Sequence, residues 1–168
     1  MLVLGIDPGT AITGFGLVEK AQGRENLISY GVIRTASTMD MPQRLAKIYR
    51  EYNRLLDEYQ PDAVAIEQIF HHKNAKTVIT VAQSRGVLLM AAAVRDIEIG
   101  EYSPLQVKQA VTGYGNAEKK QVQVMVQKIL GLKEIPKPDD AADALAIALC
   151  HLHSFRLRNV FKRGDYLL

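Results

Sequence analysis

An α/β fold built on a five-stranded mixed sheet with helices on its faces is what this sequence predicts. Three observations predict it. The first third of the chain holds three strand-like runs separated only by short turns. The apolar positions change to a helical period at Met41, and from Ala63 onward short apolar strands alternate with helices. Strands joined by short turns pair antiparallel, whereas strands reached through a helix pair parallel. The expected sheet therefore has three antiparallel strands plus two parallel ones.

In chain order, strands are expected at about residues 1–7, 12–19 and 27–35, with Pro8-Gly9 marking the first turn and Gly23 the second. Met41, Leu45, Ile48, Tyr49, Tyr52, Leu55, Leu56 and Tyr59 then share one helix face, and Pro61 ends that helix. Ala63 to Ile66 is a short apolar run that reads as a buried strand. A long helix follows at about 74–95. It is apolar on nearly every side from Val87 to Val94, so it needs cover from its own sheet or from another subunit. Ile97 to Tyr102 is the fifth strand. Ser103 as N-cap and Pro104 in the first turn open a helix that stops before Gly113. Another helix is expected from about Ala117 to Gly131, and a last one from Asp139 to about Ser154.

The chain has 168 residues, 48% of them hydrophobic and 23% charged. That is ordinary globular composition, with length enough for one well-buried core. No repeat or linker divides it. Residues 1–154 read as one domain, and 155–168 as a tail made basic by Arg156, Arg158, Lys162 and Arg163. Phosphate contact and a frayed, solvated end both suit that tail. A net charge of +3 permits a polyanionic partner without establishing one. The single cysteine, Cys150, excludes an intramolecular disulfide and reads as a buried, inert thiol. The N-terminus lacks a basic leader segment, and no apolar run approaches about 18 charge-free residues, so no membrane span and a cytoplasmic location are expected.

Four carboxylates stand out. Asp7 ends the run Leu2-Val3-Leu4-Gly5-Ile6, and Glu67 ends Ala63-Val64-Ala65-Ile66. Acids at the ends of core strands sit at the rim of a sheet, where α/β proteins bind ligands; each taken alone also suits a solvated strand end. Asp140 and Asp143 stand three apart, which on a helix places them on one face with Cβ atoms about 5–6 Å apart. Asp139 and Asp140 serve equally as first-turn acids that complement the helix dipole. Asp143 lies among alanine, leucine and isoleucine with no basic neighbour in sequence, so its charge requires a partner or a metal. Together these groups suit a hard cation of the Mg²⁺ type. His71, His72, His151 and His153 lack zinc-ligand spacing.

Six segments carry a family pattern: Gly5-Ile6-Asp7-Pro8-Gly9-Thr10, Ala65-Ile66-Glu67-Gln68-Ile69-Phe70, Gln83-Ser84-Arg85-Gly86, Gln106-Val107-Lys108-Gln109, Ala117-Glu118-Lys119, and Asp140-Ala141-Ala142-Asp143-Ala144-Leu145-Ala146. In this order, from residue 2 to about 153, the chain resembles the RuvC family of Holliday-junction resolvases. The resemblance implies a ribonuclease H-like fold and a homodimer acting in recombination and repair. Each subunit would nick one of two symmetry-related strands of a four-way DNA junction. It implies Mg²⁺ as cofactor, two ions per subunit with Mn²⁺ as a substitute, and branch-migration motor proteins as partners. Asp7, Glu67, Asp140 and Asp143 become the metal-binding catalytic set. Lys108 and Lys119 become contacts to the DNA backbone near the cut, and Phe70 an aromatic that stacks on unpaired bases. Read alone, Phe70 suits a core and the two lysines suit solvated helix positions. Arg85 suits either a phosphate or an acid within the fold. A four-way junction presents two equivalent strands, which a two-fold dimer matches with two equivalent sites.

Asp7-Pro8-Gly9-Thr10 also fits the phosphate loop of ATP-handling proteins of the actin and sugar-kinase type. Those need a second nucleotide-binding half for which this length leaves no room. The remaining alternatives are a non-cleaving junction-binding protein, against which the presence of all four acids speaks, and a ribonuclease H-like nuclease acting on RNA.

Overall fold

The structure is a computed structural model that describes residues 1–69 and 75–162. Strands β1 (Leu2–Asp7), β2 (Ile12–Ala21) and β3 (Arg24–Arg34) form an antiparallel meander. Helix α1 (Met41–Tyr59) leads to β4 (Ala63–Glu67), and α2 (Ala75–Ala93) leads to β5 (Glu98–Tyr102). Helices α3 (Pro104–Thr112), α4 (Lys119–Ile129) and α5 (Asp139–Lys162) complete the chain. The sheet order is β3-β2-β1-β4-β5, with β1–β4 and β4–β5 parallel. This is the expected five-stranded mixed sheet.

Two boundaries differ from expectation by more than two residues. Strand β3 begins at Arg24, three residues before the expected start, because the hairpin turns on only Gln22 and Gly23, both at positive φ (51° and 79°). Helix α5 continues to Lys162 rather than stopping near 154. No glycine or proline interrupts residues 139–162, so nothing local ends the helix at the expected place. The N-terminus of α3 is as expected: Ser103 Oγ accepts from the Gln106 amide at 3.2 Å, and the Gln106 side chain accepts from the Ser103 amide at 2.8 Å.

Alternation along the strands sorts residues to two faces. Val3, Ala63, Ala65 and Tyr102 pack under α3, α4 and α5. Leu4, Ile6, Val64 and Ile66 pack under α1 and α2, where Ile48, Tyr52 and Leu56 supply the α1 side. Cys150 is fully buried as expected, its Sγ 3.6 Å from the Gln106 carbonyl oxygen, and burial pushes its thiol pKa up to about 11.

Candidate active site

Sheet register brings the first two acids together. The β1–β4 pairing sets Ile6 beside Ile66, so Asp7 and Glu67, each one residue further on, end neighbouring parallel strands side by side. On its other edge Asp7 pairs with Gly14 of β2. Asp7 lies two residues beyond Gly5 and Glu67 two beyond Ala65, so both belong to the α5 face of the sheet.

Three glycines on that face let α5 settle against the strands. A Cβ on Gly5 would overlap the Ala144 carbonyl oxygen, one on Gly14 the Asp140 carbonyl oxygen, and one on Gly16 the Leu145 side chain. Two of these obstacles are helix backbone, which cannot rotate away. Glycine therefore permits the close approach that carries Asp140 and Asp143 to the end of β1, where Asp7 waits. The alternation Gly14-x-Gly16 is the sequence signal for it.

The electrostatics record the convergence. Burial first, then the charges of Glu67, Asp143 and Asp140, pushes the Asp7 pKa up to about 7, against the opposing pull of Lys119. Burial, then Asp143, pushes Glu67 up to about 7, with Lys119 and Lys108 acting the other way. Asp143 is raised as well, chiefly by burial, although Lys119 opposes the shift directly. The Lys119 Nζ lies 2.7 Å from Asp143 Oδ2 and 3.6 Å from Asp139 Oδ2. Burial would lower the lysine's own pKa, but the hydrogen bond to Asp143 and the surrounding carboxylates outweigh it and raise it.

Asp143 thus finds its cation on another helix. Nothing near it in sequence pointed to Lys119, because α4 and α5 meet only through the tertiary fold. Lys108 and Lys119 join Glu67 and Asp143 in lining a cavity of about 180 Å³. Asp140 lines a separate hollow of about 360 Å³ with Gly9, Thr10, Thr80 and Arg44.

The chemistry of the donor set fits a hard cation. The four groups offer oxygen only, and two of them are held with pKa values near neutrality by burial and mutual repulsion. As they stand, no three His, Cys, Asp or Glu side chains among the described residues are spaced to share one ion; Asp143 is engaged by Lys119 instead. The described histidines are occupied elsewhere. His151 is buried with Nδ1 3.0 Å from the Tyr102 hydroxyl, and His153 Nδ1 lies 3.0 Å from the Ala110 carbonyl oxygen.

Of the two readings open for Arg85, the structure shows the intramolecular one. Its Nε donates to the Glu67 carbonyl oxygen at 3.0 Å, and its guanidinium pairs with the Glu101 carboxylate. Arg85 thus braces the strand end that carries Glu67. Phe70, together with His71 and His72, lies outside the described residues.

The family model for "Crossover junction endodeoxyribonuclease RuvC" matches residues 3–151. A protein of that name from Syntrophomonas wolfei is 67% identical over 157 residues, covering 94% of this chain and 91% of the relative. A Thermus thermophilus RuvC structure superposes with a TM-score of 0.86 at 37% identity, covering 94% of this chain and 97% of that one. T. thermophilus RuvC in complex with Holliday junction substrate gives the same TM-score at 35% identity, with 94% and 96% covered. The yeast mitochondrial Holliday junction resolvase, at 16% identity and a TM-score of 0.68, shares the fold. That fold is ribonuclease H-like.

Proposed function

The chain belongs to the RuvC family of crossover junction endodeoxyribonucleases, and from that premise we propose that it resolves four-way DNA junctions by paired, Mg²⁺-dependent hydrolysis of two symmetry-related strands. One observation carries the site assignment: sheet register and a helix seated on glycines bring carboxylates from three stretches of chain to the ends of β1 and β4, where Asp7, Glu67 and Asp143 are all held above their ordinary pKa values, first by burial. Asp7, Glu67, Asp140 and Asp143 are the groups that would hold the cation, with two ions per subunit and Mn²⁺ able to replace Mg²⁺. Bound there, the ion would supply Lewis-acid charge for phosphodiester hydrolysis.

The protein's own residues prepare the place. In the free protein Lys119 neutralises Asp143. Transferred to a DNA phosphate, that ammonium frees the Asp143 oxygen as a donor and neutralises the backbone at the same time. Lys108 lines the same cavity and adds a second positive charge. Phe70 is assigned to stacking on unpaired bases on the strength of the family motif alone.

A homodimer follows from the two-fold symmetry of the substrate, and α2 is the face proposed for it. Ile79 (60% exposed), Met90 (53%) and, just beyond the helix, Val94 (76%) leave an apolar flank uncovered by the chain itself. Branch-migration motor proteins as partners and a cytoplasmic location belong to the same reading. Among the described residues no helix is long and apolar enough to cross a membrane.

The test is a synthetic four-way junction incubated with purified protein and Mg²⁺, beside a linear duplex. Paired symmetric nicks are expected in the junction and none in the duplex. The Asp7→Asn variant should bind the junction normally and cut it about a thousandfold more slowly, as expected when several kcal/mol of charge stabilisation is removed. Undiminished cutting by that variant would show that the acid cluster is not the catalytic centre.

A further inference from the structure

The hollow on the Asp140 side of the acid cluster has a cation that the site assignment leaves unused. Its lining includes Gly9, Thr10, Ala11, Arg44, Thr80 and Asp140, and it shares no lining residue with the cavity of Lys108 and Lys119. Arg44 is the basic residue of its described lining.

A chain of hydroxyls holds Arg44 in place. Its Nε donates to Thr35 Oγ1 at 2.7 Å, Thr35 Oγ1 donates to the Thr10 carbonyl oxygen at 2.7 Å, and Thr10 Oγ1 donates to the Thr80 carbonyl oxygen at 2.7 Å. Thr10 and Thr35 are both buried. The network ties the loop after β1, the end of β3, the start of α1 and α2 into one rigid corner. Nε is committed to that corner, which leaves the two terminal amines of the guanidinium for a ligand at the hollow. Among the described residues no carboxylate forms an ion pair with Arg44, and Asp140 on the same wall is outside ion-pair distance.

A half-buried arginine braced through Nε, with no ion pair to its terminal amines among the described residues, is preorganised for an oxyanion. The hollow borders Asp140 on one flank of the acids while Lys108 and Lys119 border Glu67 and Asp143 on the other. A DNA strand crossing the acids presents successive phosphates to both flanks. We infer that Arg44 binds a second phosphate of the cut strand, on the side of the scissile position away from Lys108 and Lys119. This rests on the junction-nuclease reading. Its consequence is a strand clamped at two points, with the scissile phosphate held between them over the carboxylates.

The experiment measures binding in EDTA, so that no cutting intervenes. Single phosphates of the cut strand are replaced in turn by uncharged methylphosphonates. For the unaltered protein, a roughly tenfold loss of affinity is expected at one position on the flank away from the position sensed by Lys119. Arg44→Gln should bind the native junction roughly tenfold more weakly, with a salt slope lower by about one unit. It should also be indifferent to the methylphosphonate at that one position, whereas Lys119→Ala remains sensitive to it. Unaltered protein that ignores every methylphosphonate on that flank overturns the inference, as does Arg44→Gln that keeps the wild-type sensitivity. If Arg44→Gln does not fold, the scan on unaltered protein still decides. The premise fails separately, by absence of junction cutting in Mg²⁺; cutting with a silent scan defeats this inference alone.

Discussion

Helices α2 and α5 read alike in sequence and are covered differently in the fold. From Ala141 to Leu152 every residue of α5 except Asp143 is buried, by the sheet on one side and by α3 and α4 on others. Along α2, Leu88, Ala91 and Ala92 are buried against the sheet and α1, while Ile79 and Met90 face outward. An apolar helix therefore reports a need for cover and says nothing of who provides it. In α5 the chain covers itself, and the one interruption is an acid of the site. In α2 the chain covers half, and the proposed partner subunit covers the rest.

Matched substitutions test that contrast most severely. Leu149 is fully buried, and Leu149→Glu should cost more than about 4 kcal/mol and prevent folding, read by loss of the cooperative melting transition. Met90→Glu should leave the protomer's own stability within about 0.5 kcal/mol and convert the dimer to monomer, read by sedimentation or light scattering. A Met90→Glu protein that stays dimeric breaks the assignment of α2 as the interface.

The acids beneath α5 sharpen the comparison through pH. The folded pKa values of Asp7 and Glu67, about 7 each, exceed their ordinary values of 3.8 and 4.5. The folded state therefore holds protons that the unfolded state has already released. The stability these groups contribute is fully present below the unfolded values and is lost as pH rises through about 7. In metal-free protein the melting temperature should fall across that window. Asp7→Asn should flatten the fall and raise stability at pH 8 by on the order of 1–2 kcal/mol, or roughly 2–8 °C. Added Mg²⁺ should restore the wild type and not the variant. A melting temperature that climbs between pH 5 and 8 without metal contradicts this account.

The smallest expected effect concerns the rim. Lys119→Ala should lower the salt slope of junction binding by about 0.9, the value for one phosphate contact, and leave the oligomeric state unchanged. An unaltered slope would mean that Lys119 stays on Asp143 when DNA is bound.

Much of this was legible from sequence because it is local. The apolar periods located the strands and α1, Ser103 and Pro104 marked the start of α3, and the acids closing β1 and β4 drew notice through the apolar runs before them. The partner of Asp143 was not legible, since Lys119 belongs to another helix and the two meet only through packing. The acid that Arg85 pairs with was not legible either, since Glu101 lies on β5 and meets it only in the fold. In sequence Arg44 is one of the residues off the apolar face of α1 and resembles any solvated arginine; only the fold shows Thr35 holding its Nε.

Residue order alone carries the succession of elements, the mixed sheet and the family, and it singles out the four acids proposed for the site. Each of these rests on periods, caps and motifs that act within a few residues. Tertiary structure alone decided that Gly5 and Gly14 would admit the backbone of α5, which cation would answer which acid, and which flank of α2 would remain bare. Those outcomes depend on strand register and on the depth to which one helix sinks onto a sheet, and both are set by contacts between residues far apart in the chain.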